Sequence, residues 1–306
     1  MQENKGRRNP FLLAPTLALA VLALFGILSF IPIGGGIFSY IIMLVASLLI
    51  FGTAIFLAVY LRGMGWVAQS FGKPRSGSIV VCLSATGMMV VQSVGIRSFL
   101  TESFYDYRTV TLYGVHLESA AGTTGAFILF FLVIAVIPAI AEEIFFRGFL
   151  MREYRYGGVF LSVLASAFLY AMTGLSLPDF PIHLINGVLL SAVAFLTGNL
   201  LYSMLAHVLY ALFVLTAEKY IFFIALETRA LILLVLVALG LLSALCFCTF
   251  AEKLLRARGE DEERAPIRLK KGSALIVLTD MLSAPMLWAD TFCFALICIL
   301  HIFLDA

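Results

Sequence analysis

The stretch Thr123–Gly148, TTGAFILFFLVIAVIPAIAEEIFFRG, decides the fold. Its first part, Thr123 to Ala141, is almost wholly apolar and long enough to cross the hydrocarbon core of a bilayer. Its second part sets two adjacent carboxylates, Glu142 and Glu143, and a cation, Arg147, into oily surroundings, at or just beneath the membrane surface. Ionisable groups at that depth are expensive and mark function by default. Arg147 follows Glu143 by four residues, which brings both to one helical face in the favoured acid-before-base order. Glu142 points about a quarter-turn away. One carboxylate is therefore free to face a cavity and work on water while its neighbour is held by Arg147. The same residues also read as a surface ion pair at a solvated helix end, since charges commonly flank spans.

Composition extends the membrane reading to the whole chain. Of 306 residues, 62% are hydrophobic and only 12% are charged, half the charged fraction of about 25% found in soluble domains. The chain reads as all-α, a polytopic integral membrane bundle of eight or nine helices. Hydropathy predicts spans near residues 11–33, 38–61, 78–96, 123–144, 158–175, 182–197, 200–217, 230–250 and 286–304. With the N-terminus in the cytoplasm, sixteen of the 20 Lys and Arg fall in inside segments and only Arg97, Arg108, Lys219 and Arg229 fall outside, as the positive-inside rule requires. The Glu pair then lies at the cytoplasmic end of the fourth span. The five cysteines sit in apolar runs and read as small buried hydrophobes. Nothing in the chain reads as a nucleic-acid surface, and the P-loop and His-Glu-x-x-His patterns are absent.

Along the chain, residues 1–122 hold the first spans and an outside loop, 123–217 a core bundle, 218–251 an eighth span, 252–272 a charged cytoplasmic linker and 273–306 a C-terminal hydrophobic segment. The loop from Arg97 to Ser119 is the largest polar outside segment and reads as a solvated loop, with His116 an exposed histidine. Pro178 and Pro181 forbid a continuous helix after the fifth span, so the chain turns back there. Thr197-Gly198-Asn199 is a tight turn that makes spans six and seven an antiparallel hairpin. His207, two turns into span seven, needs a polar partner at that depth. The Glu pair, on the same side by topology, is the candidate. In the final region Asp280, Asp290 and His301 line a polar seam.

Glu142, Glu143, Arg147 and Gly148, followed by a histidine after a Thr-Gly turn, resemble the CAAX prenyl protease and bacteriocin-processing (CPBP) family of intramembrane endopeptidases over about residues 123–217. The first family motif, Glu-Glu-x-x-x-Arg, matches fully. The second, Phe-x-x-x-His, reads Phe168-Leu169-Tyr170-Ala171-Met172, with methionine for histidine; the third, His-x-x-x-Asn, is His207 with Ala211 in the last place. The resemblance implies a water activated by the first Glu and an oxyanion stabilised by the later His. It assigns Glu142 as general base, Glu143 with Arg147 as the orienting ion pair, and His207 as oxyanion donor or ligand. Zinc is disfavoured, because Met172 is a poor ligand for a hard, oxygen-rich site. His183 and Asn186 are the nearby residues that can stand in for the missing polar groups. The expected substrate is a peptide or membrane protein cut near the cytoplasmic face. A catalytically impaired relative that binds membrane partners as a scaffold is the alternative.

Overall fold

The computed structural model describes residues 10–33, 36–100, 109–118, 124–260, 279 and 281–304. Among them seven helices are long and apolar enough to cross a membrane, and two shorter apolar helices, Val159–Thr173 and Leu200–Thr216, complete the nine segments expected from hydropathy. The chain is an integral, multi-pass membrane protein built as a helical bundle. Helices α1 (Pro10–Ser29), α2 (Ile37–Arg62), the short α3 (Gly65–Gln69) and α4 (Ser78–Leu100) precede a hairpin of β1 (Thr109–Leu112) and β2 (Val115–Glu118). The central helix α5 (Gly125–Glu153) follows. Then come α6 (Val159–Thr173), α7 (Phe180–Thr197), α8 (Leu200–Thr216), the long α9 (Glu218–Glu260) and α10 (Pro285–Leu304).

Small residues bring the helices close, as expected where lipid supplies no hydrophobic drive between them. A Cβ on Gly187 of α7 would meet the Ala167 backbone and side chain of α6 at 2.9 Å, and one on Gly26 of α1 would overlap Ile297 of α10. An aromatic cluster fills the space between α1, α2 and α5, with Phe25 and Phe51 rings 5.5 Å apart and Phe51 5.9 Å from Phe145. Helix α9 is the opposite case: Leu234, Leu241 and Leu245 are each more than 60% exposed, the surface that lipid chains cover.

The proline break and the Thr-Gly-Asn turn form as expected. Helix α6 stops at Thr173 and α7 restarts at Phe180 with Pro181 in its first turn. Gly198 takes φ 66 and closes α7, and the Asn199 side chain accepts from the Leu201 N–H at 2.9 Å to cap α8. This turn is pinned to the chain after α3, where Asn199 Nδ2 donates to the Gly72 carbonyl at 2.6 Å.

Several expectations are corrected. Helix α5 does not end at residue 144 but runs on to Glu153, so the Glu pair sits inside the helix, about three turns from its end. Hydropathy places the end at residue 144 because three charged residues in close succession look like a span terminus. Two stretches of α5, Leu132–Val136 and Glu143–Leu150, are wound as π-helix, a rare form that concentrates at functional sites. Pro138, which brings no N–H to the backbone ladder, follows the first of them. The loop that follows Arg97 is not simply solvated: residues 109–118 form the hairpin, and Tyr113, Val115 and Leu117 are buried. His116 is exposed as expected, 3.0 Å from the Thr111 hydroxyl. The charged segment from Glu252 begins as helix, continuing α9 to Glu260; residues 261–278 lie outside the described residues. Cys248 is exposed rather than buried. In α10, Asp290 is buried with neither carboxylate oxygen bonded among the described residues, whereas His301 contacts the Ser29 hydroxyl at 2.9 Å. The two do not form a common seam, and Asp280 lies outside the described residues.

Candidate active site

Three elements converge on the Glu pair. On α5 the wide π-turn keeps residues four apart nearly in line, and Arg147 Nη1 donates to Glu143 Oε1 at 2.9 Å with both side chains fully buried. Arg147 also donates from Nη2 to the Gly187 carbonyl at 3.3 Å, and its guanidinium carbon stands 4.3 Å from the centre of the Tyr170 ring. Glycine at 187 serves both contacts, because it lets α7 lie against α6 with its carbonyl presented to the cation. A buried guanidinium needs such a set: one carboxylate, one carbonyl and one aromatic face.

His207 enters from the middle of α8. Its Nδ1 lies 3.2 Å from Glu143 Oε1, and its Nε2 lies 3.9 Å from Glu142 Oε2 and 3.4 Å from the Tyr170 hydroxyl. An ionised carboxylate only accepts, so Glu143 calls for the ring hydrogen on Nδ1 and leaves Nε2 to face Glu142. Glu143 is thereby engaged by Arg147 and His207 together, and Glu142 touches neither at hydrogen-bond distance. The hydroxyl of Tyr113, at the tip of the β1–β2 hairpin, donates to Glu142 Oε1. Glu142, Glu143, Arg147 and His207 are each at most 9% exposed. With both carboxylates ionised and His207 neutral, the group carries one net negative charge.

Zinc does not suit this donor set. Glu143 addresses Nδ1 and Glu142 addresses Nε2, so the two carboxylates lie at different edges of the imidazole and only Glu142 and His207 Nε2 face one point. A structural or catalytic zinc takes at least three protein ligands. Met172, 1% exposed, brings no hard donor. His183 does not join the Glu pair: it lies over Gly174 and packs edge-on to Tyr170, ring centres 6.0 Å apart. Asn186 accepts from Gln92 Nε2 at 2.7 Å instead.

Residues 124–213 match the family model described as type II CAAX prenyl endopeptidase Rce1-like. The match supports a CPBP-family reading of this segment. The matched family is one of intramembrane CAAX-type endopeptidases, and it implies a peptide or protein substrate within a membrane. No curated protein and no solved structure matches the chain. Glu142, Glu143, Arg147 and His207 all fall within the matched segment.

Two residues of the site escaped the sequence reading. Tyr170 stands inside Phe168-Leu169-Tyr170-Ala171-Met172, two positions before the methionine, and its neighbours alone give no reason to prefer it. Tyr113 carried a fainter signal: Thr109-Val110-Thr111-Leu112 and Val115-His116-Leu117-Glu118 alternate polar and apolar around Tyr113-Gly114, the pattern of a hairpin with a two-residue turn.

Proposed function

We propose that the chain is an intramembrane endopeptidase that hydrolyses a peptide bond with a water held between Glu142 and His207. The single observation that carries the reading is the 3.9 Å separation of Glu142 Oε2 from His207 Nε2. That gap is too long for a direct hydrogen bond and suited to one water bonded to each atom at about 2.8 Å. In this reading Glu142 takes a proton from the water as its oxygen attacks the substrate carbonyl carbon. His207, with a hydrogen on each ring nitrogen, donates from Nε2 to the developing oxyanion. As the tetrahedral intermediate collapses, the C–N bond breaks and Glu142 returns its proton to the leaving amine. Glu143 and Arg147 orient the imidazole and keep its Nδ1 hydrogen directed at Glu143. General base work by a positioned carboxylate contributes about 10²- to 10⁴-fold, and a donor to the oxyanion contributes about 2.7–4 kcal/mol.

The substrate is a peptide or membrane protein whose scissile bond reaches the depth of Glu142. With the N-terminus cytoplasmic, as the charge distribution supports, cleavage takes place about three turns of α5 in from the cytoplasmic end of that helix. Purified protein in detergent, incubated with membrane-anchored peptides with and without a prenylated C-terminal cysteine, tests this by mass spectrometry of the products. Cleavage by the natural protein, lost in Glu142→Gln and His207→Ala, supports the reading. Equal cleavage by all three proteins sinks it.

The second reading, a catalytically impaired relative that scaffolds membrane partners, draws on Met172 and Ala211, which replace polar residues of the family motifs. It gains if no peptide is cut and Glu142→Gln leaves the set of co-purifying membrane proteins unchanged.

A further inference from the structure

The β1–β2 hairpin reaches into the bundle in a way that loop closure alone does not require. Thr111 pairs with His116 and Leu112 with Val115, leaving Tyr113-Gly114 as a two-residue turn. Tyr113 has φ 50 and Gly114 φ 77, the pair of positive values that a type I′ turn demands. Non-glycine residues seldom take that conformation, and a bulky aromatic less often than most. Here the surroundings enforce it. The Tyr113 ring stacks on Phe25 with centres 3.9 Å apart, and a Cβ on Gly114 would crowd Ser29, Leu175 and His301. The tip is thus wedged between the ends of α1, α6 and α10, and the phenol is delivered to Glu142.

We infer that Tyr113 is a positioning residue for Glu142, so that the hairpin, which lies outside the family-matched segment, completes the active site. This rests on the hydrolytic reading above. A carboxylate turns freely about its last bond unless one oxygen is held. The Tyr113 hydroxyl holds Oε1, and Oε2 is then the oxygen that faces His207 Nε2 at 3.9 Å. Burial, and with it the charge of Glu142, pushes the Tyr113 hydroxyl well above its ordinary range, so it stays a donor wherever the protein is folded. The backbone conformation at the tip persists because ring and hydroxyl are both held, the arrangement found where strain serves a site.

Tyr113→Phe separates this role from packing, since it keeps the ring on Phe25 and removes only the donor. Losing a hydrogen bond to a charged group is expected to lower kcat about ten- to a hundredfold, with KM within about twofold. A second measurement needs no substrate: labelling of Glu142 by a membrane-permeant carbodiimide, mapped by mass spectrometry, rises several-fold in Tyr113→Phe. Unchanged kcat together with wild-type labelling overturns the role of Tyr113. If Glu142→Gln abolishes cleavage while Tyr113→Phe matches the natural protein in both readouts, the hydrolytic reading stands and this inference alone fails. If Glu142→Gln cleaves as well as the natural protein, the hydrolytic reading fails. The labelling rate then still decides whether Tyr113 holds the carboxylate.

Discussion

Among the described residues, two clusters each join one arginine to two glutamate or aspartate residues, one buried and one half-buried, and they are wired differently. At the ends of α4, α7 and α9, Arg97 contacts Glu218 through Nη1 and Asp179 through Nη2 at 3.3 Å, so one cation serves both carboxylates. Ser93 adds a hydroxyl to Glu218 at 3.2 Å, and Ser176 one to Asp179 at 3.0 Å. Inside α5, Arg147 pairs with only one of the two carboxylates, Glu143, and Glu142 is left to a tyrosine hydroxyl and an imidazole. The first arrangement ties three helices together and leaves no carboxylate without its cation. The second withholds a cation from one carboxylate, and that carboxylate is the one with a 3.9 Å gap beside it. Where the charge is fully paired the cluster acts as a staple; where it is not, the carboxylate without a cation is the one proposed to do chemistry.

The sharpest way to break this contrast is Glu142→Gln. If Glu142 is the base, kcat falls about a thousandfold while the melting temperature holds or rises, because an amide replaces a carboxylate that had no cation. A large loss of stability with residual cleavage instead makes Glu142 a staple like its counterparts. Arg147→Met comes next. It leaves Glu143 buried without its cation and is expected to lower stability by about 3–5 kcal/mol, read from unfolding in detergent. Gly187→Ala forces α6 and α7 apart at the point where the Gly187 carbonyl meets Arg147, and the overpacking costs about 1–3 kcal/mol. Its signature is reduced stability accompanied by reduced kcat, whereas Gly26→Ala, in the α1–α10 contact, reduces stability alone.

The smallest effect belongs to the Arg97 staple and appears only in acid. Burial acts to raise the Asp179 carboxyl, but Arg97, His183 and the Ser176 hydroxyl outweigh it and hold the group below its ordinary value. A carboxyl lowered on folding stabilises the folded state fully above its unfolded value, about pH 3.9. That stabilisation drains away as the pH falls through the lower folded value. Melting temperatures from pH 6 down to pH 3 should therefore drop more steeply for the natural protein than for Asp179→Asn. Parallel curves would mean that Arg97 does not hold Asp179 in solution.

Hydropathy, charge asymmetry and one motif were enough to determine that the chain is a membrane-embedded helical bundle, where its nine apolar segments lie, and that Glu142, Glu143, Arg147 and His207 belong together. Those properties are local: the length of an apolar run, the four-residue spacing of an ion pair, a histidine too polar for its helix. The end of α5 was misjudged for the same reason, since a window of hydropathy counts charges without knowing that neighbours 64 residues away satisfy them. Only the tertiary structure decided which carboxylate is paired with a cation and which is not, that His207 presents Nε2 to Glu142, and that a hairpin 29 residues upstream supplies the hydroxyl on the other oxygen. Each of those depends on helices approaching at glycine and on a turn wedged among three helix ends. Such approaches are set by shape complementarity between distant segments, and no single stretch of the sequence contains both surfaces.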